Sequence, residues 1–447
     1  MERIFKRRKL EPILSLTKLS IKRIAFLLFN YSIIQNTLAL ICSKCIKEVA
    51  SDGKLINLKI IPNEGRVTML FLSHERFRDD LLVLSAAEKV RVLIINHYLQ
   101  TRLFSIYYPK MEITDAMLHA VGADSPFARH QEIFHAFLRG FLASLYKVVQ
   151  VDCVISSDVR NDFDFDWGVV SKYLGVPYIV FHRENLVASL TSYNRARETM
   201  KSLKRFRGNY IIVHNDIEKR MFLESGYVDE SQISALGCLR MDNFIKRIKN
   251  GNFPKTKRKR FLYFPFEISA GGIDAYHKVL GVVLQFAIQH PEIDVIVKPK
   301  VDFYLKWEKN TMEKFFENAE IYPDKIQNLQ ILPYADAQDL ILESDVICVI
   351  NSTVLLEAGI AGKQVIIPYL KESQESDDIK LKDYFHLFEV ALDEIELKSK
   401  ILENLNNLKQ TSEEIMEGRR KVFEKFVSSM DADATGKYLS IIKEIVS

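Results

Sequence analysis

The sequence predicts an α/β protein of two consecutive doubly wound domains, each a largely parallel sheet covered by helices. Three observations predict it. From Arg66 onward, short β-rich apolar runs alternate with helical stretches, the pattern of parallel strands joined by helical crossovers. The alternation breaks at 246–260, which holds eight Lys/Arg and no acid, and then restarts. Finally, 447 residues at roughly 100–200 residues per domain make two or three domains, each able to bury its own core.

In chain order, residues 1–60 form a basic and apolar helical extension, and 61–245 the first doubly wound domain. Its strands are expected at Val67 to Leu72, Val90 to Ile95, Cys153 to Ser156, Tyr178 to Phe181, Tyr210 to Val213 and Ile233 to Ala235. Helical patterns lie at Gln131 to Val149, Trp167 to Leu174 and Ile217 to Ser225, and Gly175-Val176-Pro177 is a helix stop before a strand. Residues 246–260 read as a linker, with a Gly251-Asn252 turn and Pro254. The second domain, 261–410, is expected to alternate strand and helix as Phe261 to Phe264, Ala275 to His290, Val295 to Lys298, Phe303 to Asn318, Leu329 to Leu332, Ala337 to Glu343, Val346 to Ile350, Thr353 to Ala361 and Val365 to Ile367. Residues 411–447 are largely helical, as a terminal helix that crosses back to brace the first domain would be. Two such domains make a cleft between the carboxyl ends of their sheets, where these folds bind ligands.

Composition and charge exclude several classes. With 48% hydrophobic and 27% charged residues, neither a disordered chain nor a polytopic membrane protein is expected. The net charge of +4 is concentrated at the N-terminus, where residues 1–23 carry eight Lys/Arg against Glu2 and Glu11, a local +6. The rest of the chain is therefore not a nucleic-acid-binding surface by charge. Five cysteines are too few and too scattered for a disulfide framework, and the lone Cys42-x-x-Cys45 has no second Cys or His pair at a zinc-like spacing. Ile24 to Cys42 is apolar-rich but interrupted by Asn30, Ser32, Gln35, Asn36 and Thr37, which are costly at mid-bilayer, and no small-residue cleavage site follows. Two readings fit it: a helix packed on the first domain, or an interfacial helix whose Arg3, Lys6, Arg7, Arg8 and Lys9 touch anionic lipid.

The densest chemical signal is the run from Asp345 to Pro368. An apolar strand ends in Asn351-Ser352-Thr353 and a helix begins there, so backbone N–H groups and hydroxyls converge on a point suited to a phosphate. Glu357 lies about one turn further and is placed to meet ribose hydroxyls; the plainer reading makes Ser352 an N-cap and Glu357 a solvated acid. Lys298 and Lys300 end another strand. Arg240 adds a phosphate contact or pairs with Asp242. Ile179-Val-Phe-His-Arg-Glu184 ends a first-domain strand, so His182 or Glu184 is a candidate base towards an acceptor hydroxyl, with Asp158 a further one. The plainer reading is an Arg183–Glu184 surface pair beside a packed His182. Asp162-Phe-Asp-Phe-Asp166 has a D-x-D spacing, read as N-cap and loop residues rather than a metal site. The chain has no P-loop, His-Glu-x-x-His or Gly-x-Ser-x-Gly motif.

The strand–Asn-Ser-Thr–helix–Glu–Ala-Gly-Lys–strand–Pro run resembles the donor-nucleotide element of GT-B glycosyltransferases, especially bacterial surface-polysaccharide enzymes of the Kdo-transferase and CDP-glycerol glycerophosphotransferase kinds. Val295-Ile-Val-Lys-Pro-Lys300 is similar to the strand-end Lys-Pro-His of those families, with Lys300 in place of His. Leu236-Gly-Cys-Leu-Arg-Met-Asp242 is similar to their Gly-x-x-Arg-x-Asp segment. The likeness covers roughly Tyr210 to Tyr369 and leaves Met1 to Lys59 unmatched. It implies a GT-B fold and a metal-independent glycosyltransferase. Such an enzyme takes a nucleotide-sugar donor as substrate, CMP- or CDP-linked, and no cofactor. Its acceptor is a glycan or glycolipid of capsule or lipopolysaccharide. The donor binds at Lys298, Lys300, Asn351, Ser352, Thr353, Glu357 and Arg240. The expected location is cytoplasmic, peripheral at the inner face of the membrane, with no nucleic-acid partner. Alternatives are a CDP-polyol phosphotransferase, a nucleotide-sugar 2-epimerase, and a catalytically silent membrane-associated assembly protein.

Overall fold

The computed structural model describes residues 32–58, 65–72, 77–108, 127–183, 186–203, 205–251, 253, 257–266, 268–300, 309–374, 379–408 and 410–447. The basic residues 1–23, the start of the 24–42 stretch, part of the 246–260 segment, the Phe303 end of an expected helix and the candidate base Glu184 lie outside the described residues.

The chain is α/β, with two sheets. The first has eight strands in the order β2-β1-β4-β3-β5-β6-β7-β8. They are β1 (Lys47–Val49), β2 (Leu55–Asn57), β3 (Val67–Phe71), β4 (Val90–Ile94), β5 (Cys153–Ser156), β6 (Tyr178–Phe181), β7 (Tyr210–Val213) and β8 (Ile233–Ala235). β3 is parallel to β4 and β5, β5 to β6 and β7 to β8, whereas β1 is antiparallel to both β2 and β4. The second sheet has six strands, all parallel, in the order β11-β10-β9-β12-β13-β14. These are β9 (Arg260–Phe264), β10 (Asp294–Val297), β11 (Leu329–Ile331), β12 (Val346–Val349), β13 (Gln364–Pro368) and β14 (Glu389–Ala391). Counted along the chain this is the 3-2-1-4-5-6 arrangement of a dinucleotide-binding sheet, whose order reverses between β9 and β12.

The chain divides into two compact units, Met1–Phe181 with Phe206–Tyr210 and Lys443–Ser447, and His182–Arg205 with Ile211–Ile442. The core of the first unit is aromatic. Helix Ala128–Val149 buries Phe134, Phe137, Leu138, Phe141, Leu142, Leu145 and Val149 along one stripe, the 3.6-residue periodicity of an amphipathic helix. Its rings continue through Tyr107 to Phe137 at 5.2 Å and Phe141 to Trp167 at 5.8 Å. Helix Ser32–Ser43 packs on it, with Gln35 pressed so close to Gly140 that a side chain there would collide. The described part of the 24–42 stretch is thus a packed helix, although Ile33, Leu40 and Ile41 face outward. Among the described residues, no helix is long and apolar enough to cross a membrane. Cys42, in the last turn, is buried and its thiol is pushed up to about 12 by burial and by Cys45.

The Asp162-Phe-Asp-Phe-Asp166 reading needs correcting. The helix expected from Trp167 begins at Asp162, with Asn161 at its N-cap, so the acids lie inside its first turns rather than in a loop. Asp164 accepts from Gln100 Nε2 (3.0 Å) and Ser156 Oγ (2.8 Å), and is fully buried. Buried acids survive in a core only when hydrogen-bonded in this way.

In the second unit, β9, β10, β12 and β13 and the helices around them form one continuous core. Helix Ile268–Gln289 starts earlier than expected and is interrupted at Gly272 (φ 78°, ψ 157°). The basic stretch 246–260 begins as the last turn of helix Met241–Asn250, where Arg247 and Lys249 complement the helix dipole and Gly251 (φ 65°) closes it. The tail forms helices Glu413–Phe426 and Ala434–Val446. It is tied to the segment after β7 and β8, because Asn215 Nδ2 donates to Phe426 O (2.9 Å) and Tyr438 OH to Gly237 O (3.0 Å). Gly237 is required there: its φ is 83°, and a Cβ would meet Ser428 Oγ at 2.5 Å.

Candidate functional site

Parallel strands deliver their following residues to one edge of a sheet, and a reversal of strand order opens a crevice there. In the second unit that edge carries most of the residues expected to hold the donor. After β12, Ile350 is buried and Asn351 turns the chain with φ 57°, a left-handed conformation that asparagine tolerates better than most residues. Its Oδ1 accepts from Lys380 N–H at 2.8 Å, which holds the turn. Ser352 Oγ accepts from Val354 N–H at 3.3 Å, whereas Thr353, at the N-cap of the short helix Val354–Ile360, makes no side-chain cap bond. The switch point between β9 and β12 therefore presents Asn351, Ser352 and Thr353.

Lys298 follows β10, is buried, and donates from Nζ to the carbonyls of Pro299 and Pro333, both at 3.0 Å. Lys300, two residues further on, is exposed. Glu357 is neither solvated nor presented outward: it is buried in helix Val354–Ile360, with its Oε1 3.5 Å from Arg240 Nη2. Arg240 immediately precedes helix Met241–Asn250. Asp242, the alternative partner for Arg240, instead accepts from Ala434 N (3.1 Å), Thr435 N (2.8 Å) and Thr435 Oγ1 (2.6 Å), and so caps the terminal helix.

Beside Arg240 the structure gathers residues that the sequence reading passed over. His214 follows β7 directly, as His182 follows β6. The His182 Nε2 lies 3.2 Å from Glu218 Oε1, Glu218 is fully buried, and the imidazole stands edge-on to Phe222 at 5.2 Å. A carboxylate behind a histidine orients the ring, the arrangement used to position a general base. His182 is thus packed in the core with a carboxylate beside its Nε2. The pKa of His214 is lowered well below its ordinary value, first by burial and then by the charges of Arg240, Arg183 and His182. A signal for these residues existed in the sequence: histidine closing a strand, then Asn215, whose Oδ1 accepts from Glu218 N–H at 3.0 Å as a helix N-cap.

The depressed His214 has a sign-definite consequence. Folded, it stays neutral; unfolded, it binds a proton below about pH 6.5, so the unfolded state gains protons and stability falls as pH drops below that value. The limiting slope is about 1.4 kcal/mol per pH unit. Urea midpoints measured between pH 7.5 and 5 are expected to fall more steeply for the wild type than for His214→Gln. Parallel curves would show that His214 does not titrate between the two states.

Asp158 lies in the first unit, two residues past β5 and next to the reversal of strand order between β3 and β5. Its Oδ1 accepts from Arg160 N–H (2.9 Å) and its Oδ2 lies 3.3 Å from Arg160 Nη2. Both of its oxygens therefore have a local partner in Arg160.

No family model matches the chain, and no curated protein matches it. Among solved structures it is similar to a UDP-GlcNAc 2-epimerase from Neisseria meningitidis bound to UDP-GlcNAc (TM-score 0.47, 12% identity, 85% of this chain and 100% of that one). It is also similar to the wall teichoic acid polymerase TagF (TM-score 0.49, 13% identity, 96% and 98%). A third is a UDP-forming α,α-trehalose-phosphate synthase from Burkholderia xenovorans (TM-score 0.46, 11% identity, 86% and 100%).

Proposed function

We propose that the chain is a GT-B-type glycosyltransferase that moves a sugar from a nucleotide-activated donor to a surface-glycan acceptor without a metal. The observation that carries this reading is the 3-2-1-4-5-6 sheet, whose point of strand reversal is followed by Asn351-Ser352-Thr353. Doubly wound sheets bind nucleotides at that point. Departure of a nucleotide builds negative charge on its phosphate, and an enzyme using no metal must offset it with cations and hydrogen-bond donors. Arg240, Lys298, Lys300 and the two hydroxyls are the groups we assign to that task, with Glu357 holding Arg240 in place. His182, with Glu218 beside it, and Glu184 are the candidate bases for the acceptor hydroxyl.

The test is calorimetry with CMP, CDP, UDP, GDP and dTDP, followed by the same titrations on Ser352→Ala/Thr353→Ala. Loss of two charge-assisted phosphate contacts costs about 1.5–3 kcal/mol each, so the folded double variant is expected to lose at least about a hundredfold in affinity. Unchanged affinity would remove these residues from the donor site. Product formed from the donor alone, with no acceptor, would make the chain an epimerase; absence of affinity for every nucleotide would leave the non-catalytic alternative.

We assign the N-terminus to the surface of an anionic membrane. Each Lys or Arg near such a surface contributes about 1 kcal/mol, screened by salt. Removing residues 1–23 is expected to abolish sedimentation with anionic liposomes at low salt and to leave nucleotide binding unchanged. Binding that survives both high salt and carbonate would replace this with an inserted helix.

A further inference from the structure

Within the first unit, and sharing no residue with those assigned above, helices Ala128–Val149 and Asp162–Tyr173 and the segment at Arg207 line an open hollow of about 210 Å³ bounded by Glu132, His135, Arg139, Val169, Tyr173 and Arg207, together with Val170. Sites that take a whole drug-sized ligand run to roughly 300–1,000 Å³, so this one suits a single sugar unit. Its lining combines three kinds of chemistry.

The first is a pair of guanidinium groups, with Glu132 as the one carboxylate in the lining. Arg139 and Arg207 both face the hollow, and among the described residues neither is paired with a carboxylate. Each lies instead near an aromatic ring, Arg139 over Tyr173 at 5.4 Å and Arg207 over Phe165 at 5.9 Å. Lys172 next to Arg207 has its pKa lowered, by burial and then by the Arg207 charge. Guanidinium forks of this kind recognise carboxylate and phosphate.

The second is a histidine with a fixed orientation. His135 Nε2 is 2.6 Å from Asp166 Oδ1, and that buried carboxylate also accepts from Gln131 Nε2 (3.0 Å) and Tyr108 OH (2.8 Å). The Tyr108 phenol is pushed up by burial and by the Asp166 charge, so it remains a proton donor to that carboxylate. Asp166, itself held by Gln131 and Tyr108, thus fixes one imidazole through three side chains drawn from two helices and the residue that ends a third, and the imidazole Nδ1 has no protein partner among the described residues. A core that only needed filling would not require such a network, because buried polar groups must each be satisfied at a cost apolar residues avoid.

The third is an aromatic surface. Tyr173 is 71% exposed, and its electron-rich face attracts the weakly positive C–H groups of a pyranose ring. Glu132 supplies an acceptor for sugar hydroxyls.

We propose that this hollow is a subsite for an oxyanion-bearing sugar unit, either a uronic acid or a sugar phosphate, of the acceptor glycan. Arg139 and Arg207 hold the oxyanion, His135 donates or accepts at Nδ1, and Tyr173 stacks on the ring. The word acceptor rests on the transferase reading above; the affinity for a sugar anion does not.

The full-length protein is titrated calorimetrically at low ionic strength with D-glucuronate, glucose 6-phosphate, glucose and inorganic phosphate, and separately with CDP. At least one of the two sugar anions is expected to bind at about millimolar strength, and glucose and inorganic phosphate at least about tenfold more weakly; the preferred anion names the oxyanion. Arg139→Ala with Arg207→Ala is expected to weaken the sugar anion by about tenfold or more, as loss of a charge-assisted contact does. Tyr173→Ala is expected to weaken the sugar anion and leave inorganic phosphate unaffected. All three positions are exposed, so these variants fold, and CDP binding is expected to be unchanged in them. No binding of either sugar anion, no effect of the double arginine change, or inorganic phosphate binding as tightly as the sugar anions would each overturn the subsite. Sugar-anion binding without any nucleotide binding would overturn the transferase reading and leave the subsite standing.

Discussion

Glu184→Gln is expected to bind nucleotide normally and to lose most transfer, by about 10²–10⁴ in rate, since it removes a base while keeping the side chain's size. Glu184 stands two residues after His182 in the segment that follows β6. His182→Gln is the necessary companion, because the imidazole Nε2 lies 3.2 Å from the buried Glu218 carboxylate, the pairing by which a base is commonly positioned. A base and its orienting partner act as a unit, so His182→Gln and Glu218→Gln are expected to reduce turnover together and non-additively if the dyad carries the proton. Near-wild-type turnover in Glu184→Gln would discard that residue and leave the role to His182; Asp158 follows only if both survive substitution, given its contacts with Arg160.

The second large effect concerns Arg240. The Glu357 side chain is 4% exposed and that of Arg240 17%, so Arg240→Ala strands a carboxylate in the core. Breaking a buried pair by removing one partner costs about 3–5 kcal/mol, and the partial exposure of Arg240 together with the 3.5 Å separation places the loss at the low end. The double variant Arg240→Ala/Glu357→Gln is expected to recover a good part of it, because the neutral amide no longer needs a cation. Denaturant unfolding of the three proteins decides it: equal stability of the single and double variants would show that the pair is not coupled. Both variants are expected to bind nucleotide at least about tenfold more weakly, which separates the loss of the phosphate contact from the loss of stability.

Much of the architecture was legible because buried parallel strands are continuous apolar runs. β5, β6, β7 and β8 lie where their sequences place them, residue for residue. The short edge elements were not legible. β1, β2 and β14 are three residues each, with β2 exposed throughout and β1 and β14 mostly half-buried, so no apolar run marks them. Helix Leu190–Ser202 buries only Met200 and has no apolar stripe to betray it. Asp164 and Asp166 look like loop residues because their hydrogen-bond partners, Gln100, Ser156, Gln131, His135 and Tyr108, come from distant parts of the chain.

The candidate site divides in the same way. That Asn351-Ser352-Thr353 closes a strand and opens a helix is a local property, set by apolar runs and capping chemistry, and the sequence by itself determined it. That these residues follow the strand next to the reversal is a matter of sheet order, which no local signal encodes. The sequence likewise put His182, Arg240 and Glu357 next to strand ends. Only the tertiary structure decided that Glu357 turns inward to Arg240, that Asp242 caps the terminal helix, and that His214 and Glu218 join them, because such pairings depend on which strand ends and helices become neighbours after folding.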